Sequence, residues 1–225
     1  MPADVPFEEI PADALSVSAT YRLMTDLVAP RPVAWVSTVD GEGRRNLAPF
    51  SYYQAVCSHP PMIVLAISWH ADGRMKDTLR NILETRELVV SHVSEALVEA
   101  ANATSAAFAP EVSEWEAVGV EAAPALRVAP PRVAGARAVL ECALRQAIPL
   151  GSGAHGGPSS TLVIAEVVHF ALAEGVAHRD ARGRLQIDPD RLQAVGRLGG
   201  IAYTRTESRL ELPRPAAPQT GKETP

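Results

Sequence analysis

The sequence predicts a mainly β protein with short helices, arranged as a closed or partly closed antiparallel barrel with helical inserts. Three observations carry that prediction. Strand-like runs lie on both sides of Val39-Asp40-Gly41-Glu42-Gly43, where an Asp-Gly pair and a second glycine suit the connection of a β-hairpin. Two long strand-like stretches, Ala136 to Leu150 and Thr161 to Ala173, have the length of bent barrel strands. The six or seven strands and three short helices that can be read along the chain lack the regular alternation of a doubly wound fold.

Residues 1–17, rich in proline and acids, read as an irregular lead-in to a single domain over residues 18–212. Ser18 is suited to cap a short helix from Thr20 to Val28, which Pro30 and Pro32 end. The hairpin strand Arg31 to Thr38 follows, and its partner spans Arg45 to Val56 with Pro49 in the middle. A proline there removes a ladder donor, so the run is either a bulged edge strand or a place where a ligand takes the backbone hydrogen bonds.

Pro61 to Ser68 is nearly all apolar and fits a strand buried on both faces. The polar loop 69–76 leads to a helix over Asp77 to Arg86, with Asp77 or Thr78 as its cap and Leu79, Ile82 and Leu83 on one face. A strand over Glu87 to Val93 precedes a second helix, Ser94 to Thr104, capped by Ser94. Residues 105–132 break into prolines, acids and alanines, a long excursion with one helical turn near Ser113 to Glu116. The long strands are joined by the glycine-rich stretch 151–160, and a short helix from Pro189 to Ala194 follows Asp188. Gly196 to Tyr203 closes the ordered part, and residues 213–225 have the makeup of a disordered tail.

Composition excludes several classes. At 225 residues, 47% hydrophobic and 21% charged, the chain reads as a soluble globular protein with a sizeable core. A net charge of −5 with dispersed basic residues gives no footprint for nucleic acid. No run of about 18 apolar residues is present, so no membrane span is expected. The acidic start lacks the pattern of a signal peptide, which predicts a cytoplasmic protein. Cys57 and Cys142 sit in strand patterns and are expected to be buried free thiols, and the six histidines lack the spacing of a metal site.

The strongest local signal for chemistry is Lys76-Asp77-Thr78 at a helix start, where free N–H groups, a hydroxyl and an ammonium suit a phosphate. An ordinary capped helix start fits the same triplet. The second signal is Asn46-Leu47-Ala48-Pro49-Phe50-Ser51, where polar residues flank the proline break.

In order along the chain stand Ala29-Pro30-Arg31-Pro32-Val33-Ala34-Trp35-Val36-Ser37-Thr38, then the Asn46 to Ser51 run, Lys76-Asp77-Thr78-Leu79-Arg80-Asn81, and Asn102-Ala103-Thr104-Ser105. With Val195-Gly196-Arg197-Leu198-Gly199-Gly200 and Tyr203, this set resembles the flavin reductase-like, FMN-binding split-barrel family over roughly residues 15–213. The resemblance implies a split β-barrel homodimer with FMN near the subunit interface and NADH or NADPH as a transient electron donor. It places Ser37, Thr38, Asn46, Ala48 and Ser51 along the isoalloxazine and ribityl chain, and Lys76, Asp77 and Thr78 near the phosphate. Asn102, Thr104 and Ser105 are further candidates for the same pocket.

Flavin chemistry needs no protein nucleophile, in keeping with a sequence that offers no catalytic triad, metal motif or Rossmann glycine motif. His70, His155, Trp35, Trp69 and Arg197 are secondary candidates, each with a reading as a loop, core or surface residue. The implied activity is hydride transfer from NAD(P)H to FMN and on to an acceptor, with a monooxygenase component as one partner. The alternatives are an FMN-carrying electron-transfer protein without its own NAD(P)H activity, and a split-barrel binding module that performs no catalysis.

Overall fold

A computed structural model describes residues 5–109 and 111–215. Its strands are β1 (Arg31–Pro32), β2 (Ala34–Val39), β3 (Arg45–Phe50), β4 (Tyr53–Ser58), β5 (Pro61–Ser68), β6 (Glu87–His92), β7 (Ala122–Ala123), β8 (Arg132–Val133), β9 (Ala138–Leu150), β10 (Ser160–Leu172), β11 (Ala177–Arg179), β12 (Leu185–Ile187), β13 (Val195–Arg197) and β14 (Tyr203–Arg205). The α-helices are α1 (Val17–Leu27), α2 (Asp77–Thr85), α3 (Val98–Ala103), α4 (Glu114–Val118) and α5 (Pro189–Leu192). None is long and apolar enough, among the described residues, to cross a membrane.

Seven strands form one antiparallel sheet in the order β3-β2-β6-β9-β10-β5-β4. The chain leaves β3 at one edge and enters β4 at the other after only Ser51 and Tyr52, so the two edges must curl toward each other. The Tyr52 carbonyl accepts from Ala66 N–H on β5 at 2.8 Å, which starts the pairing on the far side. The sheet is thus a barrel split between β3 and β4. The hydrophobic interior is lined by Ala34, Val36, Ile63, Leu65, Val90 and Val163, with Leu79 and Ile82 of α2 packed against them.

Several local expectations change in the structure. Ser16, rather than Ser18, caps α1, its Oγ accepting from Ala19 N–H at 3.2 Å, so the lead-in ends earlier than residue 17 and already holds a 3₁₀ turn at Ala12–Ala14. The expected helix over 94–104 is a 3₁₀ turn, Glu95–Leu97, followed by α3, and the Ser94 hydroxyl caps nothing. Helix α2 begins at Asp77 with Lys76 in the cap position and no side-chain cap bond. Cys57 is exposed, because β4 is an edge strand, whereas Cys142 is buried and burial pushes its thiol pKa up. Of the expected tail 213–225, residues 216–225 lie outside the described residues, as do residues 1–4 of the lead-in.

Pro49 does not break the ladder. Trp35 faces Pro49 in an unbroken register from Val39–Arg45 to Ala34–Phe50. Backbone groups of alternate residues on an edge strand point away from the partner strand. Leu47 N–H donates outward to Glu114 Oε2 at 3.0 Å and the Arg45 carbonyl accepts outward from Ser113 Oγ at 3.3 Å, which puts Pro49 on the same outward set. The proline therefore occupies a position where the sheet needs no donor.

The excursion 105–132 is held by the barrel. Glu141 of β9, with a fully buried side chain, accepts N–H bonds from Leu126 at 3.0 Å and Arg127 at 2.6 Å, and pairs with His169 Nδ1 at 3.0 Å. Those bonds hold its carboxyl pKa down although burial opposes this. Glu87 accepts from Ala129 N–H at 2.7 Å, and Ser37 donates to the Pro131 carbonyl at 2.5 Å.

Candidate functional site

Directly opposite residues of an antiparallel pair share a face. Thr38 faces Asn46 and Ser37 faces Leu47, so Thr38, Asn46, Ala48 and Phe50 lie on one face of the hairpin, and Ser37, Trp35, Leu47 and Pro49 on the other. Onto the first face docks the start of α2. Asn46 Nδ2 donates to Thr78 Oγ1 at 2.9 Å, and Asn81 Nδ2 donates to Thr38 Oγ1 at 3.2 Å. All four residues are buried. The spacing of Thr78 and Asn81 in α2 puts both polar groups on the side that meets β2 and β3, next to the apolar pair Leu79 and Ile82 that enters the core.

Further along β3, Lys76 Nζ lies 6.0 Å from the centre of the Phe50 ring. It has no ion-pair partner among the described residues, and partial burial lowers its pKa. Beside it the first N–H groups of α2 have no side-chain cap, and Thr78 still has its hydroxyl proton to donate because it accepts from Asn46. Ser51 closes this stretch, accepting from Arg31 Nε at 3.3 Å. Arg31 is only 6% exposed and also donates to the carbonyls of Thr25, Val28 and Leu198, tying α1 and the C-terminal segment to the end of β3.

The structure thus gathers Thr38 of β2, Asn46 and Ala48 of β3, Ser51 just after it, and Lys76, Asp77 and Thr78 at the start of α2 along one stretch. It does not bring the other four candidates there. Ser37 lies on the opposite face of β2 with its hydroxyl spent on Pro131. Thr104 is 2% exposed, accepts from Trp35 Nε1 at 2.9 Å and donates to the Ala101 carbonyl at 2.8 Å, which commits its proton within the fold. Asn102 and Ser105 are exposed at the end of α3, where Ser105 Oγ donates to the Asn102 carbonyl.

The secondary candidates are mostly engaged within the fold. Trp35 packs in the outer core, and Arg197 lies 4.5 Å over the Tyr203 ring. Trp69 stacks on His155 at 6.1 Å, and His155 Nδ1 accepts from Gly157 N–H at 3.1 Å. Gly73, with φ +86°, leaves room for that imidazole, because a Cβ there would come within 2.9 Å of it.

Three residues that sequence reasoning did not single out matter here: Asn81, Arg31 and Glu114. Asn81 was signalled by its i+3 spacing from Thr78 on an otherwise apolar helix face. Glu114 reaches β3 across 67 residues of chain, and burial raises its carboxyl pKa against the lowering effect of the Leu47 N–H.

Residues 27–187 match the family described as flavin reductase like domain. The chain belongs to the flavin reductase-like family. The solved nitrilotriacetate monooxygenase component B from Bacillus cereus superposes with a TM-score of 0.85 at 34% identity, covering 93% of this chain and 100% of that one. The 2-nitrobenzoate 2-nitroreductase NbaA of Pseudomonas fluorescens gives 0.82 at 32% identity, with 95% and 100% covered. An uncharacterised protein of Halalkalibacterium halodurans is 38% identical over 207 residues, 92% of this flavin reductase-like chain and 96% of the relative. The split-barrel fold and the family expected from the motif order are both found.

Proposed function

We propose that the chain is an FMN-binding oxidoreductase of the flavin reductase type that takes hydride from NADH or NADPH and passes it to an acceptor. One observation carries the reading: an ammonium unpaired among the described residues, a helix start without a side-chain cap and a hydroxyl free to donate converge at Lys76 to Thr78, next to the open edge of β3. That donor set fits a phosphate monoester, the group that sets FMN apart from riboflavin. When bound, FMN would supply the hydride-accepting ring, and the protein's task is to bind, orient and shield it.

In this reading Lys76 and the N–H groups of α2 hold the phosphate and Asn46 fixes the rotamer of Thr78. The face of Ala48 and Phe50 supports the ring, and the outward carbonyls of Leu47 and Pro49 accept from its N–H edge. Arg31 keeps Ser51 in place at the far end. Ser37 and Thr104 serve the scaffold.

Homodimerisation is part of the proposal. Helix α1 leaves Tyr21, Met24 and Leu27 exposed and buries only Thr25, so its apolar side is largely uncovered by the described residues. Phe170 and Leu172, one face of β10 by the period-2 rule, are also exposed, as is Val168 at the bulge before them. A second copy covering these faces accounts for both. The names of the two similar solved proteins suggest a partner monooxygenase or a nitroaromatic compound as acceptor, and a monooxygenase component is the partner we favour.

The test is spectroscopic. The purified chain mixed with FMN is expected to turn yellow at one FMN per subunit and to bleach on anaerobic addition of NADH or NADPH. A colourless chain refutes the cofactor, and a yellow chain that neither nucleotide bleaches refutes the donor.

A further inference from the structure

A cleft of about 710 Å³ opens between the hairpin tip, the first half of α2 and the excursion. It is lined by Asn46 and Asp77, which border the anchor surface, by Arg80 and Asn81 of α2, and by Ser113 and Glu114 of the excursion. Its size suits a nucleotide-sized group, and its position puts such a group beside anything bound along β3.

Two features define what it can take. Asn81 is 2% exposed and its Oδ1 has no hydrogen-bond partner, so a ligand with an O–H or N–H donor is called for. The cleft's guanidiniums are already engaged, Arg44 with Asp40 at 2.7 Å, Arg80 with Asp77 at 2.5 Å and Arg45 with Glu116 at 3.9 Å. Glu111 and Glu114 also line it and have no cationic partner among the described residues. A sugar hydroxyl can donate to such carboxylates, whereas a phosphate dianion meets their like charge and must compete with Asp40, Asp77 and Glu116 for the arginines.

We infer that the cleft receives the adenosine ribose of the nicotinamide donor and selects NADH over NADPH, through the Asn81 acceptor and the carboxylates of Glu111 and Glu114, which no cation among the described residues pairs. This rests on the nicotinamide-dependent activity proposed above and adds to it which nucleotide is used.

Calorimetric titration of the FMN-treated full-length chain with the unreactive NAD⁺ and NADP⁺ tests it. NAD⁺ is expected to bind at least about tenfold more tightly, a difference of about 1.4 kcal/mol. The double variant Glu111→Arg, Glu114→Gln should close most of that gap by tightening NADP⁺. Glu111→Arg alone, at an exposed position, should close part of it should the double variant fail to fold. Equal or tighter NADP⁺ binding, a gap that Glu111→Arg leaves unmoved, or no binding of either nucleotide overturns the inference. A chain that stays colourless with FMN yet prefers NAD⁺ sinks the flavin reading while upholding the cleft, and a yellow chain that binds neither nucleotide does the reverse.

Discussion

Replacing Lys76 by methionine separates the two roles a half-buried ammonium can play. In the free chain the ammonium lies 6.0 Å from the centre of the Phe50 ring with no ion-pair partner among the described residues, and partial burial lowers its pKa. Methionine keeps the length and apolar stem while removing the charge, so folding stability should hold or rise slightly. Binding should respond in the opposite sense. A hydrogen bond to a charged group contributes about 1.5–3 kcal/mol, so FMN affinity should fall about 10- to 150-fold. Fluorescence quenching titrations with FMN and with riboflavin supply the control, because riboflavin lacks the phosphate and its affinity should not change. The pH dependence follows with the same sign. FMN binding needs protonated Lys76, so affinity is full below the lowered pKa and declines as pH rises through it, starting below the usual 10.5. An equal loss for riboflavin, or no loss for FMN, would show that the phosphate is held elsewhere.

Three further outcomes follow from the structure. His92 titrates at about 4 because burial disfavours its charge and Arg137 adds repulsion, and its buried Nδ1 has no partner. A folded pKa below the ordinary 6.5 means that stability is lost as pH falls from about 6.5 toward 4. His92→Phe should flatten that slope in urea titrations across the window, by about 1–3 kcal/mol at its lower end. Glu141 behaves as a depressed carboxylate, so its contribution is present at neutral pH and is lost as pH falls below the ordinary 4.5. Glu141→Leu orphans two backbone N–H groups, should cost about 2–4 kcal/mol in chemical unfolding, and should speed amide exchange at Leu126 and Arg127. Phe170→Glu, at a residue 55% exposed in the single chain, should leave the fold intact by circular dichroism and shift the mass by light scattering from dimer to monomer.

Legibility in the sequence followed the range of the forces involved. The hairpin was readable because its turn is built locally: Asp40 accepts from Glu42 and Arg44 N–H groups at 3.0 and 2.9 Å, and Gly43 takes φ +82°. The long strands β9 and β10 were readable from their long, mostly apolar stretches on either side of a glycine-rich connection, and α5 from Asp188 capping it. Strand β4 was not readable as a separate element, because nothing in Ser51-Tyr52 says that the chain crosses from one sheet edge to the other. The same limit explains why Pro49 looked like a break. Its outward position depends on which neighbour pairs with β3, and that is a property of the sheet.

Taken alone, the amino-acid order determined the family and the strand-rich barrel, since the first rests on a set of short motifs in order and the second on turn signals and strand-like runs, both legible residue by residue. The folded chain decided which candidates share a surface. It set Ser37 and Thr38 on opposite faces of β2, spent Thr104 on Trp35, and recruited Asn81 and Glu114 from distant segments. The reason is physical: a side chain's free valence is whatever its neighbours leave over, and those neighbours lie tens of residues away until the barrel closes.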